Sequence, residues 1–247
     1  MSVVAVKELP LLMSPPMVRA TLYDSKTQTR RIVQDRNGVT AEMGDYSVHP
    51  AVTSIEPNGD GTFRFVGHPE GRKIYVSTFP LHSLRFPYGK PGERLWVRER
   101  WNVSGLAFGK RPSLAAKIAS RQAWKYYATD KQWQHGWKPS IHMPRAASRI
   151  TLEIVSVRVE RLNAISEVDA LAEGIIEFTK DGKLKKYWAC DPVDDHPPKS
   201  LRTTWADMPR TAVEAYAALW NSINGPGAWQ LNPWVWVISF KRLEQTA

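Results

Sequence analysis

The sequence predicts an α+β protein in which a small β-barrel is flanked by helices and carries an inserted hairpin. Three observations point there. The strand-like stretch 148–162 changes phase, with Ile150, Leu152 and Ile154 on even numbers and Val155, Val157 and Val159 on odd. A bulge near Ile154 accounts for the slip, and bulges bend a strand as closing a small barrel requires. The run from Trp234 to Phe240 is almost continuously apolar, which suits a short strand buried on both sides. Finally, Ser166-Glu167-Val168-Asp169 and Thr211-Ala212-Val213-Glu214 read as helix starts, with Gly174 and Asn224-Gly225 as stops.

Taken along the chain, Pro15-Pro16 opens a short helix through Leu22, because proline is pre-organised for the first helical position. Its C-terminal end delivers Asp24-Ser25-Lys26-Thr27-Gln28-Thr29-Arg30-Arg31. Lys26 and Thr29, three residues apart, share one face of a helical turn and suit a nucleophile beside its activator. The plainer alternative is a solvated basic helix end. Residues 35–88 are irregular, with Asn37-Gly38 and Asn58-Gly59-Asp60-Gly61 flanking strand-like pieces at 62–66 and 73–78, and form the inserted hairpin. After the turn at Pro91-Gly92, residues 93–101 alternate, placing Leu95, Val97 and Glu99 opposite Trp96, Arg98 and Arg100. Glu99 thus falls on the apolar face, where a carboxylate needs a cation. Lys26 is one candidate partner, and an arginine in a structural salt bridge is the other.

Residues around 114–120 suit a helix, 125–129 a strand, and 133–145 a loop rich in His, Trp and Pro. The helix after Thr211 places Val213, Tyr216, Trp220 and Ile223 on one face. The charged, Pro-rich segment 180–209 reads as a long surface loop, and 1–247 as a single domain.

The formal charge of +10 and a sequence pI near 9.7 favour a polyanionic partner, because basic side chains gain affinity by displacing counterions from phosphates. With a single cysteine, Cys190, no intramolecular disulfide forms, and a cytoplasmic location is expected. The start lacks the basic and continuously apolar regions of a signal peptide, and no stretch is long and apolar enough to span a bilayer, so no membrane role is expected. Histidines are scattered without ligand spacing, so no metal or other cofactor is expected.

Three motifs carry a family resemblance. Lys26-Thr27-Gln28-Thr29-Arg30-Arg31, then 90–99 (Lys90-Pro91-Gly92-Glu93-Arg94-Leu95-Trp96-Val97-Arg98-Glu99), then Asn232-Pro233-Trp234-Val235-Trp236-Val237 together resemble the ASCH family. The stretch 137–145 is similar to one in the larger ASCH proteins of phages and prophages. The resemblance implies a PUA-like barrel and an RNA-directed role. It also implies hydrolysis of the acetyl amide of N4-acetylcytidine by a lysine, a threonine and a glutamate, for which Lys26, Thr29 and Glu99 are the matching positions. A non-catalytic RNA- or DNA-binding module, or RNA cleavage, is the alternative.

The chemistry stands beside the resemblance. A threonine hydroxyl needs a base, and burial or the neighbouring Arg30 and Arg31 lowers a lysine pKa toward that role. Thr27, Arg30, Arg31, Trp96, Arg98, Trp101 and Arg145 are the candidate substrate-binding residues. The arginines suit phosphate, the tryptophans suit base stacking, and Arg145 suits the oxyanion of an acyl-transfer intermediate. A nucleoside or nucleic acid, RNA more than DNA, is the expected partner.

Overall fold

The computed structural model describes residues 6–33, 52–57, 62–67, 84–85, 87–103, 124–130, 136–179, 182–189 and 205–244. In chain order the principal elements are β1 (Glu8–Leu12), α1 (Pro15–Leu22), β2 (Gln28–Ile32), β3 (Val52–Pro57), β4 (Thr62–Gly67), β5 (Leu84–Arg85), β6 (Arg94–Arg98), β7 (Trp101–Val103) and β8 (Trp124–Tyr126). They continue with β9 (Thr151–Arg161), α2 (Glu167–Ala172), β10 (Ile176–Thr179), β11 (Lys185–Trp188), α3 (Ala212–Asn224) and β12 (Trp234–Leu243). The fold is therefore α+β, as expected from the sequence.

Its centre is a five-stranded sheet in the order β1-β6-β9-β12-β2, parallel between β1 and β6 and antiparallel elsewhere. The phase slip in β9 has the expected cause. Ser156 pairs with Ser239 and Ile154 with Phe240, leaving Val155 unpaired as the extra residue of a bulge. Val155 points to solvent while Leu152 and Ile154 remain buried. One face of β12 (Trp236, Ile238) packs with Leu11, Val18, Leu95 and Leu152, and the other (Val235, Val237) packs with Ala215, Tyr216 and Trp220 of α3. That two-sided burial explains the unbroken apolar run.

The sheet is strongly curled. β1 and β2 are its opposite edges, four inter-strand spacings or roughly 19 Å apart if the sheet were flat. Yet the Arg31 Nη2 on β2 donates a hydrogen bond to the Leu12 carbonyl of β1. A side chain spans that gap only if the edges have bent toward each other. Among the described residues no backbone ladder joins the two edges.

Elsewhere β3 and β4 form an antiparallel hairpin inside the inserted segment, joined by β5. The strand expected at 73–78 and the helix around 114–120 lie outside the described residues. The strand expected at 125–129 is shorter, since β8 ends at Tyr126 and turns. The segment 180–209 is not all loop, because β11 pairs with β10 and Tyr187 N donates to the Pro209 carbonyl. Thr211 caps α3 by accepting from Glu214 N at 3.1 Å, while the Glu214 carboxylate reaches Arg210 N. Ile223, expected on the packed face of α3, is exposed. No helix among the described residues is long and apolar enough to cross a membrane.

Candidate functional site

The site begins where α1 stops. Asp24 adopts a left-handed backbone (φ 57°), and Ser25 N and Lys26 N both donate to the Ala20 carbonyl, so the chain leaves the helix before Lys26. This corrects the expected helical turn: β2 begins at Gln28, and in extended backbone residues three apart point to opposite faces. Lys26 accordingly shares its side with Gln28 and Arg30, not with Thr29.

What waits for Lys26 is the C-terminus of α2. Thr27 N donates to the Ala172 carbonyl, which pins the two segments together. Gly174 follows at φ 96°, and an added Cβ would lie 3.1 Å from the Ala20 Cβ and 3.4 Å from the Lys26 Cβ. The missing side chain permits that approach. The Lys26 ammonium then donates to the Glu173 carbonyl at 2.8 Å and to Glu173 Oε2 at 2.7 Å. Lys26 and Glu173 are 2% and 4% exposed. Burial holds the Lys26 pKa below the usual lysine value, opposed by Glu173 and reinforced by Arg31 and Arg30.

The two arginines after Lys26 have different fates. Arg30 Nη1 donates to Glu173 Oε1 at 3.2 Å and to Gln28 Oε1 at 2.7 Å, while its other nitrogens bind Glu160 and Asp169. Arg158 adds a second cation to Glu160 and Asp169. Arg30 is thus occupied by carboxylates and not available for phosphate. Arg31 has no carboxylate partner among the described residues; apart from the Leu12 carbonyl its guanidinium is free, and its Nε is buried without a partner. Thr29, Arg30, Arg31, Glu173, Tyr88 and Tyr216 help to line a cleft of about 250 Å³ along the β2 edge. Lys26 lies behind Glu173. Burial first, and then Glu173, push the Tyr216 phenol well above its ordinary pKa, so it remains a neutral hydroxyl.

The remaining expected residues lie elsewhere or are occupied. Glu99, one residue past the end of β6, is buried as the alternation along 93–101 implied, but the cation that grips it is Arg149, with Nε at 2.9 Å and Nη2 at 3.0 Å. It shares no hydrogen-bond partner with Lys26. Trp96 and Trp101 are buried rather than open to a base: Arg98 lies over the Trp96 ring at 4.7 Å, and Trp101 packs on Trp124 at 5.4 Å. Arg145 is paired with Glu8 at 2.7 Å. Thr27 is exposed and held through its backbone.

Glu173 is the residue that sequence reasoning missed. A clue was present, since an acidic residue at the C-terminal end of a helix opposes the dipole and needs a cation nearby. Among the described residues no group of three or more His, Cys, Asp or Glu is arranged to hold a metal ion. Comparison with family models, with curated proteins and with solved structures returns no significant match.

Proposed function

We propose that the chain is an ASCH-type protein with a PUA-like barrel, acting in the cytoplasm on a modified cytidine, free or within RNA, and hydrolysing its N4-acyl amide. The single observation that carries this reading is the buried Lys26–Glu173 pair, set behind a cleft that Thr29 and Glu173 line. The bridged edges of the sheet support the barrel.

Glu173, not Glu99, takes the carboxylate role in this reading. The Thr29 hydroxyl adds to the acyl carbonyl. Because Thr29 and Lys26 face opposite sides of the strand, its proton travels by a water in the cleft that both Thr29 and Glu173 line, then through Glu173 to Lys26 once the ammonium has lost its own proton. The oxyanion faces Arg31, whose guanidinium lines the cleft. The C–N bond then breaks, the proton goes to the departing exocyclic nitrogen, and water releases the acid from Thr29 by the same relay. A lysine with a lowered pKa fits a base that must give up its proton.

The test is turnover of N4-acylated cytidines, free and in oligonucleotides. Lys26→Arg keeps the charge but cannot deprotonate, and Glu173→Gln breaks the relay; each should cut turnover by about a hundredfold or more. The wild-type rate should rise with pH through an apparent pKa below the usual lysine value. Wild-type levels of turnover in Lys26→Arg would overturn the mechanism. A second reading, a non-catalytic nucleic-acid reader, is favoured by Arg31, which lines the cleft and has no carboxylate partner among the described residues, a cation suited to phosphate.

A further inference from the structure

The outer face of β6 continues beyond the strand into a surface that the cleft does not use. Three chain segments converge on it. Tyr127 N donates to the Arg100 carbonyl at 3.0 Å, and Lys138 N donates to the Trp101 carbonyl at 2.9 Å, so the junction of β6 and β7, the turn after β8 and residues 136–142 are fastened side by side. Cations and rings alternate across them. The Arg100 guanidinium lies 4.4 Å from the Tyr127 ring centre, Lys138 lies 4.9 Å from that of Trp101, and Tyr127 meets Trp137 edge-on at 5.3 Å.

Among the described residues nothing neutralises the charge on this face. Arg98, Arg100 and Lys138 have no carboxylate partner among the described residues, since Asp130 is taken by Lys125 and Glu99 by Arg149. Arg100 and Lys138 are exposed, and so is Tyr127, while Trp137 is half-buried. Elsewhere the molecule pairs its cations readily, as Arg30, Arg145 and Arg242 do. The surface also adjoins the cleft: Leu12 pairs with Arg98 across β1 and β6, and its carbonyl is the acceptor for Arg31.

We propose that this face binds single-stranded nucleic acid flanking the nucleotide held in the cleft, which rests on the nucleic-acid side of the function proposed above. Arg98, Arg100 and Lys138 take backbone phosphates, and Tyr127 with Trp137 offers planes on which unstacked bases lie. An acidic peptide would satisfy the cations but leave the rings without a role. A duplex keeps its bases stacked and out of reach of those rings.

The experiment is fluorescence anisotropy of a labelled single-stranded oligoribonucleotide of unmodified sequence, titrated with wild-type protein and variants at several salt concentrations. The exposed double change Arg100→Ala with Lys138→Ala should reduce the salt slope by about 1.4, because each phosphate contact on a single strand contributes roughly 0.7. Tyr127→Ala should weaken binding at least about fivefold with the slope unchanged, the loss expected of one stacked base. Circular dichroism checks that each variant is folded, and Arg100→Glu supplies a second exposed change should Tyr127→Ala unfold. Wild-type affinity and slope in both the double variant and Arg100→Glu would overturn the proposal. So would equal binding of polyglutamate, which would mark a face for any polyanion. Turnover of a free N4-acylated nucleoside is the separate readout for the cleft. Loss of oligonucleotide binding in the double variant supports this face even where no nucleoside is turned over.

Discussion

A carboxylate removed from water needs a partner, and Glu99 and Glu173 meet that need in different ways. Glu173 is shared between Lys26 and Arg30, whereas Glu99 is gripped by Arg149, whose side chain retains 24% exposure, with the buried Arg19 adding a weaker electrostatic pull. Arg149→Met would leave a buried anion without its hydrogen-bonded cation, with only the weaker pull of Arg19, and should destabilise the protein by about 3 kcal/mol at neutral pH. The pH dependence follows from Glu99. Burial raises its folded pKa above 4.5, so its stability contribution is fully present below that value and is lost as pH rises through the folded pKa. Without Arg149 the loss is larger, and thermal melts should show the variant's deficit narrowing as pH falls. An unchanged deficit across that range would mean the carboxyl is not the source. The sequence made much of this legible. Lys26 and its arginines stood out as a motif, and the inward phase of Glu99 followed from alternation. What did not follow was who pairs with whom, because Glu173 reaches Lys26 across 147 residues of chain.

At the scale of elements, the junction between α1, β2 and α2 decides whether that pair forms. α2 is capped by Ser166, which accepts from Asp169 N at 3.1 Å, and its far end is fixed by the left-handed Gly174 against Ala20. Gly174→Ala has both a strained backbone and a contact shorter than side chains ordinarily tolerate. It should cost about 1–3 kcal/mol and lower Tm by roughly 2–10 °C, as measured by calorimetry. Because relief of the clash moves Glu173 or Lys26, any turnover should fall more than an equally destabilising change in α3, such as Thr211→Ala, would cause. Equal losses in the two variants would make the junction a matter of stability alone. The helices were readable because caps and glycines are local signals, and β9 and β12 because their patterns are long. β2 was not readable. Its polar run has neither strand nor helix period, and it becomes a strand because β12 offers a ladder from Val235 to Ser239. The same tertiary override makes β11 a strand inside a segment whose composition reads as loop.

For the whole molecule, the question is what brings the two edges of a five-stranded sheet within reach of one arginine. β9 and β12 are its longest strands, and the bulge at Val155 interrupts their ladder near its middle. A bulge adds local twist and bend, and a bend at the centre of the longest pair swings both edges. The alternative is that packing alone curls the sheet, through α1 on one face and α3 on the other. Deleting Val155 separates these causes. The deletion brings Ile154 next to Ser156, so Leu152, Ile154, Val157 and Val159 then alternate without a break and every one of them keeps its present face. Burial is preserved while the bulge is lost. If the bulge sets the curl, the variant should retain its strand content by circular dichroism yet lose the Arg31–Leu12 bridge. Faster amide exchange along β1 would report that loss, with a fall in Tm of about 4–8 °C for a cost near 2 kcal/mol. If β1 stays as protected as in the wild type, packing of the helices holds the edges together and the bulge merely accommodates a curvature imposed from outside.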